Sequence, residues 1–306
     1  MQTSDPNPFA RLSALLPACL TARRALLPEN TLPIRLFNGY YEGLPGLVVD
    51  KYVDCVVVSE HNNPPLLAPG DEAALVPLVT SLLPETHTIL LKQRASSDPE
   101  TRKGRLLVGE NLPNAIEENG VRYALDLRLN QDDSFYLDTR ELRRWLKANS
   151  HGRTILNCFA YTGSLGIAAL AGGATRVVQT DRDERFLRLE DRSAALNRFS
   201  NMEVMAGDYF RVIGALKKAS ALFDTVILDP PYFSTSTAGK IDTQNQWLSL
   251  VNKARPLVAH EGCLVLINNA LFLSGEELMR QLETITASGY AEIETIIQVP
   301  QDITGY

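Results

Sequence analysis

Hydrophobic positions change their spacing twice along this chain, and each change predicts a change of architecture. Residues 8–26 (PFARLSALLPACLTARRAL) carry apolar side chains at helical intervals and run out before Pro28. From Ile34 to Leu127 the pattern shortens to β-like runs: IRLFNG, GLVVDKY, CVVVSEH, TILLKQR, RLLVG and VRYALDL. One helical stretch, 71–83, interrupts them, and strands grouped around one helix predict a small α+β domain. The segment GYYEGLPG (39–46) reads as a tight connection, because glycine and proline punctuate two strands there.

From Arg140 onward strands and helices alternate. The pattern predicts helix 140–148, strand 153–159, helix 164–171, strand 175–180 and helix 183–198. Strand 202–207, helix 209–219, strand 223–228, helix 244–258, strand 262–268, helix 274–287 and strand 291–299 follow. Strict alternation implies a mostly parallel sheet with helices on both faces. TILNCF, TRVVQT, DTVILD and CLVLIN are continuous apolar runs, as strands covered on both faces should be. The fold class expected is therefore α/β, preceded by the smaller α+β domain. We divide the chain into an N-terminal helical segment (1–30), the small α+β domain (31–128) as substrate-binding candidate, and the larger α/β domain (129–306).

Composition narrows the function. At 306 residues the chain suits two domains, and 45% hydrophobic with 22% charged residues is an ordinary soluble composition. No apolar run approaches the length of a bilayer, and MQTSDPNPFARL lacks the basic-then-apolar order of a secretory signal, so we expect a cytoplasmic protein without membrane contact. Cys19, Cys55, Cys158 and Cys263 are scattered, with no CxxC and no histidine at ligand spacing. They read as reduced, structural thiols, and no metal is expected. The net charge of −6 argues against non-specific coating of nucleic acid. It leaves room for local patches at Lys92, Arg94, Arg102, Lys103 and Arg105, and at Arg140, Arg143, Arg144, Lys147 and Arg153, unless these are merely solvated faces.

In an open α/β sheet, ligands bind at the C-terminal ends of the strands, near the point where strand order reverses. After the first strand of the larger domain comes Asn157-Cys-Phe-Ala-Tyr-Thr-Gly163-Ser164, leading straight into a helix. Glycine there permits close backbone approach, and the helix N-terminus offers free N–H groups. After the second comes Asp181, roughly 20 residues on, placed to accept both hydroxyls of a ribose. After the third comes Gly207-Asp208, and after the fourth Asp229-Pro230-Pro-Tyr232. The prolines of that last element fix the backbone so that a carboxylate and a carbonyl face the site, with an aromatic ring ready to stack on a planar substrate. A rigid strand exit is the plainer reading of the same residues. The loop lacks GxGxxG, which argues against a nicotinamide or flavin dinucleotide. Four strand ends suited to a nucleoside are hard to obtain by accident.

RLFNGYYEGLPGLVVDKY (35–52), IEENGVRYALDL (116–127), FYLDTR (135–140), LNCFAYTGSLGIAALAGGA (156–174) and ILDPPYFS (227–234) together resemble the class I methyltransferases of bacterial large-subunit rRNA. That family includes enzymes that methylate cytosine at carbon 5 and guanine at nitrogen 7. The resemblance runs from about residue 20 to the end. It implies a Rossmann-like methyltransferase domain preceded by a small α+β domain, with S-adenosylmethionine as cofactor and RNA, rRNA in particular, as substrate. In that pattern Phe159, Tyr161, Thr162 and Gly163 line the methionine part of the cofactor, beside Asn157. Asp181 binds the ribose, Asp208 the adenine amine, and Asp229 faces the sulfonium and the acceptor. Tyr136, Asp138 and Arg140 close the pocket from the linker side.

The chain departs from the pattern in three places. Members often begin with an RNA-binding PUA module, and the residues before Thr31 are too few for one. The stretch before FYLD, usually close to HKTG, reads NQDDS (130–134). The cytosine carbon-5 enzymes carry a cysteine after the fifth strand, since that ring carbon becomes nucleophilic only once a thiolate adds. Here the strand continues Leu266-Ile267-Asn268-Asn269-Ala270, and Cys263 stands near its beginning. Transfer to a nitrogen is what remains. Asp229 and the Pro230 carbonyl would orient an amine, and Tyr232 or Phe233 would stack on a flipped base. DPP-aromatic-Ser also resembles the guanine nitrogen-7 branch more than the cytosine one. Two rival readings compete: a methyltransferase for a protein or small molecule, and an idle cofactor-binding module. The reading allows for a homodimer. The resemblance also implies a closing antiparallel strand after helix 274–287, whereas the sequence stops at Tyr306.

Overall fold

A computed structural model describes residues 7–26, 33–236, 239–268, 274–287 and 289–304. The chain divides into two compact units, Met1–Glu141 with Val299–Tyr306, and Leu142–Gln298.

The first unit begins with α1 (Pro8–Leu26). Leu12, Leu16, Cys19 and Leu20 recur at helical spacing on one stripe and are buried in the same apolar cluster as Leu36, Phe37, Leu47, Val56 and Leu75. A five-stranded sheet follows in the order β1 (Ile34–Asn38), β2 (Leu47–Tyr52), β3 (Cys55–Glu60), β4 (Thr88–Gln93) and β5 (Arg105–Val108). Its pairings are antiparallel except β3–β4, which are parallel because α3 (Asp71–Leu82) supplies the crossover. The connection expected at 39–46 contains one helical turn, α2 (Gly39–Glu42), whose amide at Tyr40 is capped by the Asn38 side chain. Another short helix, α4 (Pro99–Lys103), starts at Asp98, whose carboxylate accepts from Thr101 N. A separate hairpin joins β6 (Ala115–Glu118) to β7 (Val121–Ala124) through Asn119-Gly120, both at positive φ (54° and 72°). That pair is the turn chemistry a two-residue hairpin demands.

The chain's last described helix, α11 (Gln301–Thr304), belongs to this first unit and binds β1: Arg35 N donates to Asp302 Oδ2 at 3.0 Å and Asn38 Nδ2 to Ile303 O at 2.7 Å. The strand expected at 291–299 is not there; those residues take no regular structure. Their sequence predicts a strand, but Ile293 and Val299, which would share one face of it, are exposed, and so is Ile296 on the other, so no sheet takes up either face.

The second unit carries a parallel sheet of order β10-β9-β8-β11-β14. Its strands are β8 (Thr154–Cys158), β9 (Arg176–Asp181), β10 (Met202–Ala206), β11 (Phe223–Leu228) and β14 (Val258–Leu266). The helices between them are α6 (Ser164–Ala171), α7 (Glu184–Asn197), α8 (Tyr209–Lys218) and α9 (Thr243–Ala254), after α5 (Arg140–Asn149) and before α10 (Gly275–Thr286). Strand order runs outward from β8 through β9 to β10, then reverses to β11 on the other side. The switch point, where such sheets bind ligands, therefore lies between β8 and β11. Val226, Ile227 and Leu228 are fully buried, like Ile155 and Leu156 beside them, and Trp247, Leu250 and Val251 of α9 share the cluster of Val226 and Leu228. Between β11 and α9 the chain forms a hairpin, β12 (Phe233–Ser236) and β13 (Gly239–Asp242), that the sequence pattern had not signalled.

Candidate active site

The ladder of the second sheet brings the expected residues to one edge. Cys158 lies opposite Thr180 and Leu228, and Asp181 lies opposite Ala206, so the loops leaving β8, β9, β10 and β11 start level with one another. Asn157, Phe159, Tyr161, Thr162, Gly163, Asp181, Asp208, Asp229, Pro230 and Tyr232 all sit at these four exits.

The loop after β8 is tightly wound. Phe159, Tyr161 and Gly163 have φ of 59°, 54° and 77°. Left-handed conformations are uncommon for side chains with a Cβ and must be held by their surroundings. Here Ala160 N donates to Thr180 O at 2.9 Å, Tyr161 N to Asp181 Oδ2 at 2.9 Å, and Gly163 N to Ala160 O at 2.8 Å. Gly163 is also required sterically, since a Cβ there would stand 2.5 Å from Gln179 Nε2.

Below the loop lies a fully buried relay. Asn157 Nδ2 donates to Gln179 Oε1 at 2.7 Å, and Gln179 Nε2 donates to Gly163 O at 3.0 Å. Asn157 thus holds the loop through Gln179, a residue the motif reading passed over. Its signal was present: a lone amide inside TRVVQT, a strand buried on both faces, must find partners there.

Asp181 already accepts from its own loop, Oδ2 from Tyr161 N and Oδ1 from Asp183 N at 3.0 Å. Each carboxylate oxygen keeps a second lone pair for a hydroxyl. Burial raises its pKa, while the amides of Asp183, Tyr161 and Arg182 pull it back. Asp183 and Asp208 cap α7 and α8 through Arg185 N and Phe210 N, both at 2.9 Å. The N-terminus of α6 has no side-chain cap, which leaves the amides beside Gly163 to a ligand. Phe159 stacks on Tyr209 with ring centroids 4.7 Å apart, and Tyr161 meets Phe186 edge-on at 4.5 Å. Glycine turn, carboxylate, uncapped helix start and aromatic walls together fit a nucleoside bearing a charged tail.

At the fourth exit Asp229 is partly buried and Pro230 buried, while Tyr232 and Phe233 stand 37% and 54% exposed. Tyr232 and Phe233 thus stand partly open to solvent at the exit of β11. Cys263 pairs with Thr225, three rungs below the C-terminal end of β14, or about 10 Å down the strand. Cys158 does end its strand, but its thiol is wholly buried and burial pushes its pKa up to about 12. Asn269 and Ala270 lie outside the described residues. Among the described residues, no group of three potential metal ligands occurs.

Tyr136, Asp138 and Arg140 belong to the first unit. The Tyr136 hydroxyl donates to Asp132 Oδ2 at 3.2 Å. Asp138 lines a cavity of about 60 Å³ with Arg35, Asp50, Tyr52 and Arg94. Arg140 gives its guanidinium to both oxygens of Asp302 and to Pro33 O. The segment 130–134 is tied down as well: Lys92 Nζ sits 2.7 Å from Asp133 Oδ1 and donates to Asp132 O at 2.8 Å. Among the basic groups read either as local patches or as solvated faces, three belong to neither. Lys92, Arg140 and Arg143 are buried, since each lies on an inward position of its strand or helix. Arg94 pairs with Asp132, Lys103 with Glu100 and Arg105 with Glu72.

Comparison with known proteins agrees with this geometry. The family described as S-adenosylmethionine-dependent methyltransferase matches residues 84–290. A "Ribosomal RNA large subunit methyltransferase I" of Aeromonas salmonicida is 32% identical over 240 residues, 76% of this chain and 59% of that protein. One of the same name from Vibrio cholerae is 32% identical over 256 residues, 78% of this chain and 63% of that protein. The chain thus spans about three-fifths of the length of these relatives. A Streptococcus mutans structure described as "A putative sam-dependent methyltransferase" superposes with a TM-score of 0.84 at 22% identity, covering 99% of this chain and 78% of that one. No described helix is long and apolar enough to cross a membrane. The parallel sheet with its β8–β11 switch point is the Rossmann-like methyltransferase fold, and the chain belongs to the S-adenosylmethionine-dependent methyltransferase family.

Proposed function

We propose that the chain transfers the methyl group of S-adenosylmethionine to a base nitrogen of ribosomal RNA. The observation that carries this reading is the acceptor end of the cradle. Asp229, Pro230 and the exposed rings of Tyr232 and Phe233 follow β11 directly, next to the loop suited to the cofactor, while the Cys158 thiol is buried and Cys263 stands three rungs down its strand. A ring nitrogen or exocyclic amine carries its own electron pair and attacks the methyl group in line. The protein then needs mainly to position the two reactants, an effect worth about 7–11 kcal/mol of barrier. Asp229 and the Pro230 carbonyl orient the amine, and an aromatic ring stacks on the extruded base. The rRNA methyltransferase names of the relatives support RNA as the acceptor.

The test incubates the protein with labelled S-adenosylmethionine and rRNA, then identifies the modified nucleoside by mass spectrometry. An N-methylated base is expected. Label on carbon 5 of cytosine would overturn nitrogen transfer, and label on protein or metabolites alone would overturn the RNA reading.

A further inference from the structure

On α7, Leu187, Glu190, Ser193 and Ala194 form the inward stripe. Glu190 is fully buried, and neither of its carboxyl oxygens has a hydrogen-bond partner. Its place is specific: a Cβ built on Gly163 would stand 2.5 Å from Glu190 Cγ and 2.9 Å from its carboxyl carbon. The side chain therefore fills the space directly beneath the turn that opens α6, next to the Gln179 amide that holds the same turn.

The charged surroundings favour the neutral acid. Asp181, at the end of β9, and Asp191, on α7 itself, both act on Glu190 as negative neighbours. Helix α6 carries no ionisable side chain, and Arg176 of β9 is paired with Glu203 of β10. Burial is the largest cause holding the Glu190 pKa well above the carboxylate range. A buried, unpaired carboxylate is far costlier than the neutral acid.

We infer that Glu190, as the neutral acid, is a positioning residue for the cofactor: it supports the Tyr161–Gly163 turn against Asp181 from below, and ionising it loosens the cradle. The inference rests on the S-adenosylmethionine reading of that cradle. The sign follows from proton linkage. The folded chain holds this proton more tightly than the unfolded chain, so raising the pH ionises the unfolded carboxyl first. Stability from this group is full below the ordinary glutamate range and is lost as pH rises towards the raised folded value. Cofactor affinity follows the same course, because binding requires the protonated form.

The experiment titrates S-adenosylhomocysteine calorimetrically into the wild type, E190Q and E190M between about pH 6 and pH 9, a range over which each unit above the free-protein pKa should weaken wild-type binding by up to about tenfold. Gln and Met fill a similar volume and carry no titratable proton. Both variants should lack the alkaline loss, so that the ratio of wild-type to variant Kd grows with pH. Changes from the ligand's own amine appear in all three proteins and cancel in that ratio. Parallel profiles in all three would overturn the inference and leave the cofactor reading standing. So would folded variants that bind nothing at any pH. Absence of binding by the wild type throughout would instead remove the cofactor reading, and this inference with it.

Discussion

The carboxylate of Asp302 accepts two hydrogen bonds from the guanidinium of Arg140, at 2.7 and 3.1 Å, across 162 positions of the chain. Asp302 is wholly buried, takes the amide of Arg35, and offers its carbonyl to Arg23, which in turn forms a two-pronged pair with Glu42. Helix α11 is thereby locked into the first unit. Removing one partner of such a pair strands a buried charge. Asp302→Ala and Arg140→Ala should each cost about 3–5 kcal/mol of stability in urea denaturation. The double variant should cost less than the sum, because neither charge then remains orphaned. Simple additivity would show that the two residues act independently.

Asp181 is the next test. Its carboxylate anchors the Tyr161 amide and, in the proposed reading, accepts from a ribose, so Asp181→Ala should remove two supports of the cofactor at once. Calorimetry should show S-adenosylmethionine affinity falling by more than about tenfold, equivalent to about 1.4 kcal/mol. Unchanged affinity would remove Asp181 from the site.

How much of this could be read in advance depended on where the interactions lie along the chain. The parallel sheet was legible because strands such as TRVVQT and DTVILD must be apolar throughout when both faces are covered. The gathering of the four strand exits at one edge was legible because exits follow from strand positions. The supports beneath it were not. Gln179 and Glu190 act on Gly163 from 16 and 27 positions away, and neither belongs to a motif. The partner of Arg140 was hidden for the same reason, since Asp302 stands 162 positions further along the chain. The segment 291–299 shows the opposite failure, since alternation predicts a strand only where a neighbour accepts its edge.

Neither cysteine of the second unit should be needed for methyl transfer. Cys158 packs with Val226 and Leu228 in the core, and burial keeps its thiol protonated; Cys263 is well down its strand. Replacing both with apolar residues of similar size should leave turnover largely intact, apart from losses that parallel a lowered melting temperature. A covalent adduct with RNA that disappears with Cys263 would defeat this expectation.

Asp229 and Tyr232 should govern turnover and acceptor binding, while leaving cofactor affinity close to wild type. They follow β11, on the far side of β8 from Asp181 and Asp208, which in the proposed function is the acceptor end of the crevice. Tyr232 is 37% exposed. Loss of its ring in Tyr232→Ala should remove about 1–3 kcal/mol of base stacking and raise KM for RNA accordingly. Asp229→Ala should lower kcat and kcat/KM together, as expected when an interaction forms mainly in the transition state. Arg102 and Lys103, on α4 of the first unit, offer a contrasting pair. Phosphate contacts release counterions, so Arg102→Ala with Lys103→Ala should weaken RNA binding and flatten its salt dependence, with kcat unchanged at saturating RNA. The three patterns separate stacking, chemistry and phosphate contact in one set of steady-state measurements. If Tyr232→Ala left RNA methylation untouched but abolished that of a protein or metabolite, RNA would be the wrong acceptor.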